Sequence, residues 1–284
     1  MVFLFHLPHR AMHHVTINGI STHYHMAGRG ETDVLLLHGW AASGRMWLRS
    51  MWALRREFRL WAPDLPGFGD SDAPPFEWYS IERYTEHITA FCRALDIRPR
   101  FIIGHSMGGR VAFDLARKHP DLPERLVAIA PTVTGQLGFN VNIFLKTNIG
   151  AALMDLSRKV WPIAIAGAMT NYLVPYYLNS EAVARSADDL RRSRWRAVVA
   201  TLQAVMDQDY SSYLPEIRQP TLVICGKRDY TVPPRDSQIA AERLPHARLM
   251  LLDKVHHQPT DEAPTVCISA MRNFLNNGAF EAVL

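Results

Sequence analysis

Apolar residues along this chain come in two rhythms. Short unbroken runs at 33–39 (DVLLLHG), 100–104 (RFIIG), 126–130, 221–226 (TLVICG) and 248–253 read as strands, buried on both faces where the run is continuous. Residues 58–63 read as a further strand, and 64–72 (DLPGFGDSD) as a Gly/Pro/Asp loop. Residues 14–28 alternate polar and apolar around Asn18-Gly19, the pattern of a β-hairpin. Helical spacing marks 45–57, 80–96, 107–119, 234–244 and 262–276. Ser80 is placed to cap the second of these, and Pro120 stops the third. Strands alternating with helices predict an α/β protein with a mostly parallel central sheet flanked by helices. Residues 133–215 break the rhythm, with several helical patterns and no convincing strand. They predict a helical cap inserted into a core made of 1–132 and 216–284.

Composition narrows the class. The chain has 284 residues, 48% of them hydrophobic and 20% charged, which excludes a disordered or fibrous protein. A net charge of +4 without a clustered basic face gives no reason to expect nucleic acid. Cys92, Cys225 and Cys267 are far apart, so neither a disulfide framework nor a thiolate zinc site is expected, and a reducing compartment fits. The opening MVFLFHLPHR lacks the basic region and cleavage site of a signal peptide, so a cytoplasmic location is expected. Residues 160–180 carry no charge and are long enough to span a membrane. Pro162, Gly167, Asn171 and Pro175 argue instead for buried helices in the cap, with transient membrane contact a lesser reading. Trp161, Met169, Tyr172, Tyr176 and Tyr177 would then line an apolar substrate pocket. Residues 187–196 read as a solvated basic helix face. His13-His14 and His23-x-His25 have no carboxylate nearby in sequence, so no metal site is expected, and no Gly-rich fingerprint implies a cofactor. Oligomeric state is not specified by any of these patterns.

The strongest chemical signal is Gly104-His105-Ser106-Met107-Gly108, a G-x-S-x-G pattern between a predicted strand and a predicted helix. That context turns the chain sharply and lifts the serine hydroxyl clear of the sheet. A serine needs a base. His256 and His257 follow the last predicted strand, and either could reach over the strand tips. An acid should follow an earlier strand, where Asp229 fits and Asp253 competes. The backbone N–H groups of Trp40 and Met107 could hold a tetrahedral oxyanion. Arg110, near the start of the 107–119 helix, is unfavourably placed against the helix dipole and calls for a carboxylate from the protein or from a substrate.

Taken together, these motifs resemble the α/β-hydrolase superfamily over nearly the whole chain. HGW (38–40) resembles its oxyanion motif, DLPGFGDS (64–71) its D-x-P-G-x-G-x-S loop, and GHSMGG (104–109) its nucleophile elbow. GKRDYTVP (226–233) resembles its acid loop, and Gln258-Pro259, Glu262 and Pro264 align with its final G-H-x-P-x-x-E-x-P. The resemblance implies a catalytic Ser106, Asp229 and His257, with His256 in the usual glycine position. The base should then lie about 2.6–3.2 Å from the Ser106 hydroxyl, or looser without ligand. Serine at the elbow sets the chain apart from dehalogenases and many epoxide hydrolases, which carry Asp there. The expected activity is hydrolysis of an apolar carboxylic ester through an acyl-enzyme. The alternatives are a lyase or carbon–carbon hydrolase using the same residues, and, less favoured, a non-catalytic binding module.

Overall fold

A computed structural model describes residues 13–138 and 180–278. Eight strands form one sheet: β1 (His13–Ile17), β2 (Ile20–Ala27), β3 (Asp33–Leu37), β4 (Arg59–Pro63), β5 (Pro99–His105), β6 (Arg125–Ile129), β7 (Thr221–Gly226) and β8 (Ala247–Leu252). Their spatial order is β1-β2-β4-β3-β5-β6-β7-β8. The β1–β2 hairpin pairs antiparallel with itself and with β4, and every other neighbouring pair is parallel. Asn18 and Gly19 turn the hairpin with φ of 49° and 82°, as a two-residue turn with left-handed twist at both positions requires.

The continuous apolar runs are explained by two cores, one on each face of the sheet. Leu35 and Leu37 of β3, Ile102 of β5 and Leu126 and Ala128 of β6 belong to one. Their neighbours Val34, Leu36, Ile103, Val127 and Ile129 belong to the other. The helices α2 (Ile81–Ala94) and α3 (Met107–Lys118) cover the first face, while α1 (Leu48–Leu54) and α8 (Pro264–Asn277) cover the second. Between β6 and β7 the described residues hold α4 (Ser180–Arg192), α5 (Trp195–Met206) and a 3-10 turn at Ser211–Glu216. Then come α6 (Pro234–Arg243) and the single turn α7 (Pro259–Glu262). The helix expected at 262–276 is α8, which Pro264 starts, and the single turn α7 precedes it.

Chain order places the site. From β3 the chain goes to β4 on one side and then returns to β5 on the other, so the connections diverge at the β3/β5 boundary. In an open α/β sheet, ligands bind in the crevice outside the strands' carboxyl ends at such a switch point.

Candidate active site

Ser106 follows β5 directly and caps α3 with φ 52° and ψ −117°. A non-glycine residue rarely adopts this backbone, at a cost of about 1–3 kcal/mol. The surroundings hold it there: the Ser106 N–H donates to the Ile129 carbonyl at 2.8 Å, and its carbonyl accepts from Gly109 and Arg110. The turn is tight enough that a Cβ on Gly108 would sit 2.3 Å from the Leu37 carbonyl oxygen, so only glycine fits. Both Ser106 and the adjacent strand tip at His38 are buried.

The loop after β3 lies against this elbow, since a Cβ on Gly39 would meet the Ser106 Cβ at 3.2 Å. His38 holds the loop in place. Its Nδ1–H donates to the Gly39 carbonyl at 2.7 Å, and its Nε2 accepts from the Leu65 N–H at 2.8 Å. One nitrogen donating and one accepting is the neutral ring, and burial pushes the His38 pKa down. Among the described residues, no hydrogen bond takes the backbone N–H of Trp40 or of Met107. The Trp40 indole N–H reaches across to the Val198 carbonyl of α5 at 2.8 Å.

Asp229 and His257 meet at the tips of β7 and β8. Asp229 is buried, and its Oδ1 accepts the N–H groups of Thr231 and Val232, both at 2.9 Å. Its Oδ2 accepts the His257 Nδ1–H at 2.7 Å, which leaves Nε2 as the ring's open nitrogen. Among the described residues, His257 makes no hydrogen bond to the Ser106 hydroxyl. His256 points elsewhere: its Nδ1–H and its backbone N–H both donate to Glu262 Oε2 at 2.8 Å. Glu262 Oε1 accepts the Gln258 N–H as well, so one carboxylate shapes the loop on both sides of His257. Asp253, the competing acid, is exposed and paired with Lys227 at 2.7 Å, which lowers its pKa.

Other sequence readings meet the structure differently. Arg110 is fully buried, and no carboxylate reaches ion-pair distance of it among the described residues. Its guanidinium donates to the carbonyls of Val205 and Gln208 and to the Gln208 side chain, at 2.7–2.9 Å, so neutral acceptors at the end of α5 replace the expected anion. In residues 187–196 Arg191, Arg194 and Arg196 are exposed, as a solvated basic face requires, while the opposite side is buried: Asp189 accepts from Ser43 Oγ at 2.7 Å and from the Arg45 guanidinium. Trp161, Met169, Tyr172, Tyr176 and Tyr177 lie outside the described residues. His23 and His25 gain a carboxylate partner that sequence proximity did not reveal, Asp64, with ligand atoms within 4.8 Å of one another. Asp64 is already engaged by the His23 Nδ1–H and by the N–H groups of Gly44 and Asp70, at 2.7–2.9 Å, and this ties β2, β4 and the 64–72 loop together.

Residues 33–264 match the sequence profile of the alpha/beta hydrolase fold. The chain belongs to that family. A pimeloyl-[acyl-carrier protein] methyl ester esterase from Aromatoleum aromaticum is 29% identical over 251 residues, covering 83% of this chain and 94% of the esterase. Among solved structures of the α/β-hydrolase fold, a thermophilic esterase from Thermogutta terrifontis has a TM-score of 0.80 and 25% identity, covering 93% of this chain and 98% of that one. A hydrolase from Pseudomonas aeruginosa PA01 has a TM-score of 0.79 and 26% identity, covering 94% and 98%. This α/β-hydrolase therefore has esterases among its relatives. No helix among the described residues is long and apolar enough to cross a membrane.

Proposed function

We propose that this α/β-hydrolase is a serine esterase acting on a carboxylic ester of apolar character. The observation that carries the reading is the buried Asp229 carboxylate holding His257 by Nδ1, with the strained Ser106 elbow beside them at the switch point. In this reading His257 Nε2 takes the Ser106 proton as Oγ attacks the ester carbonyl. The N–H groups of Trp40 and Met107 hold the resulting oxyanion. Asp229 keeps the imidazole in the required tautomer and stabilises the imidazolium. The proton then passes to the leaving alcohol, and a water deprotonated by His257 releases the acid from Ser106. The segment 133–215 acts as a cap over the core, and its uncharged 160–180 stretch supports an apolar acyl or alcohol group. The esterase relatives favour ester cleavage over the carbon–carbon and lyase alternatives.

A series of p-nitrophenyl esters from acetate to laurate, run with the wild type and Ser106→Ala, tests this. Turnover by the wild type is expected, with a drop on the order of 10⁶ in kcat for Ser106→Ala. Near-wild-type turnover in Ser106→Ala would rule out Ser106 as nucleophile, and no turnover of any ester by the wild type would overturn the esterase reading.

A further inference from the structure

His105, the residue between the elbow's first glycine and Ser106, is buried at the end of β5. Its Nε2 lies 2.8 Å from the backbone carbonyl of His257. A carbonyl only accepts, so Nε2 carries the hydrogen. The two rings lie against each other with centroids 4.8 Å apart at 54°. The other nitrogen, Nδ1, is buried with no hydrogen-bond partner among the described residues. Gly39 faces it, and a Cβ there would come within 2.8 Å of Nδ1. A proton on Nδ1 would have no acceptor, and the charge would sit buried among other basic groups. Arg185 of α4, His38 and His257 all press the ring toward neutrality, after burial itself, and the His105 pKa falls well below the ordinary value.

Taking Ser106 and His257 as nucleophile and base, as proposed above, we propose that His105 is the positioning residue that sets the spacing between them. Ser106 and His105 are joined by one peptide bond, and the His105 side chain grips the main chain of His257. The base loop is therefore tied to the elbow by a contact that does not depend on the Ser106 hydroxyl. That contact persists here while Ser106 and His257 share no hydrogen bond among the described residues. Two separate constraints then fix the imidazole: Asp229 sets its rotation through Nδ1, and His105 sets its distance through the backbone. A neutral His105 also serves the chemistry. His257 becomes an imidazolium during acyl transfer, and a cationic ring with its centroid 4.8 Å away would oppose it.

Gln and Met at position 105 are nearly isosteric, and only Gln can donate to the His257 carbonyl. His105→Gln is expected to keep kcat for p-nitrophenyl butyrate within about tenfold of wild type, whereas His105→Met should lose about 10²-fold in kcat with KM little changed. Thermal unfolding and circular dichroism on both variants separate this from misfolding. Equal losses in the two, or a His105→Met kcat near wild type, would overturn the proposal. A second measurement needs no turnover and no variant. In the ring ¹⁵N–¹H spectrum of the wild-type protein, His105 should hold its Nε2–H tautomer without titrating from about pH 5 to 8. A titrating His105, or one with the hydrogen on Nδ1, would overturn the positioning role even if no variant folds. A wild type inert toward every ester, with His105 still showing the Nε2–H tautomer, would instead count against the esterase reading and leave the contact standing.

Discussion

His256 and His257 are neighbours with opposite partners, Glu262 for one and Asp229 for the other. Adjacent residues in extended backbone face opposite ways, so only one ring can face the serine. His257→Ala is expected to lose kcat by up to about 10⁶, because Ser106 is left without a base. His256→Ala should keep most activity, since it removes one of the three hydrogen bonds Glu262 accepts. Ester turnover by the two variants checks this, and the reverse ranking would move the base by one residue. The acids are ranked the same way. Asp229→Asn should cost about 10⁴ in kcat by upsetting the His257 tautomer, while Asp253→Asn should change little because that carboxylate is exposed and bound only to Lys227. Comparing kcat for the two variants decides it, and an Asp229→Asn with near-wild-type kcat beside a crippled Asp253→Asn would reverse the assignment. Ser106, Asp229 and the two-histidine loop are readable in sequence because each carries a local turn signature. His38 and His105 stand inside the HGW and GHSMGG motifs, but the contacts they make are not readable, since the partner of His105 lies 152 positions away. Glu262 left a trace in its spacing from His257, and its use in shaping the loop showed only in three dimensions.

At the scale of elements, strands and hairpin are local in origin, and the sequence predicts them with small differences at their ends. The attachments of α4 are not local. Asp189 binds Ser43 and Arg45 from about 145 positions away. Arg192 reaches Asp70 at 2.5 Å, and Arg185 reaches Asp261 beside the His257 loop through two bonds at 2.6 and 3.1 Å. Alongside its solvated arginines, the charged run 187–196 thus ties α4 to two core loops through Asp189 and Arg192, and Arg185 just before it adds a third. Replacing Asp189 by Ala takes the acceptor of the buried Ser43 hydroxyl and leaves the half-buried Arg45 with Asp188 as its ion-pair partner, and should cost about 2–3 kcal/mol of stability. Asp188→Ala should cost less than about 1 kcal/mol, because Asp188 is partly exposed and its ion pairs are screened. Urea unfolding of both variants measures the difference. Equal costs would mean that Asp189 does not anchor α4.

At the scale of the whole molecule, the fold gathers the site at the carboxyl ends of the parallel strands and buries several histidines in doing so. His38 and His105 lie at the strand tips of the site. His87 lies in α2 against the hairpin, its Nε2 2.8 Å from Thr22 Oγ1. Burial lowers all three pKa values, that of His87 to about 4. In the unfolded chain a histidine titrates near the ordinary value of about 6.5. Between about pH 6.5 and 4 the unfolded state therefore binds protons that the folded state refuses, and stability falls as pH falls. Above 6.5 both states are neutral and this contribution is complete. Each such histidine contributes a slope of up to about 1.4 kcal/mol per pH unit, so His87 alone accounts for about 3 kcal/mol across its window. Asp236 works in the opposite direction, since burial raises its carboxyl pKa and so favours the fold at low pH, but one carboxyl against three histidines does not reverse the trend. Urea midpoints measured from pH 7.5 down to 4.5 should fall steadily below 6.5. His87→Gln, which can still meet Thr22 and cannot take up a proton in the unfolded chain, should flatten that fall by about one proton's worth of slope. An unchanged slope in His87→Gln, or a wild type whose stability rises on acidification through this window, would show that His87 is not held neutral in the fold.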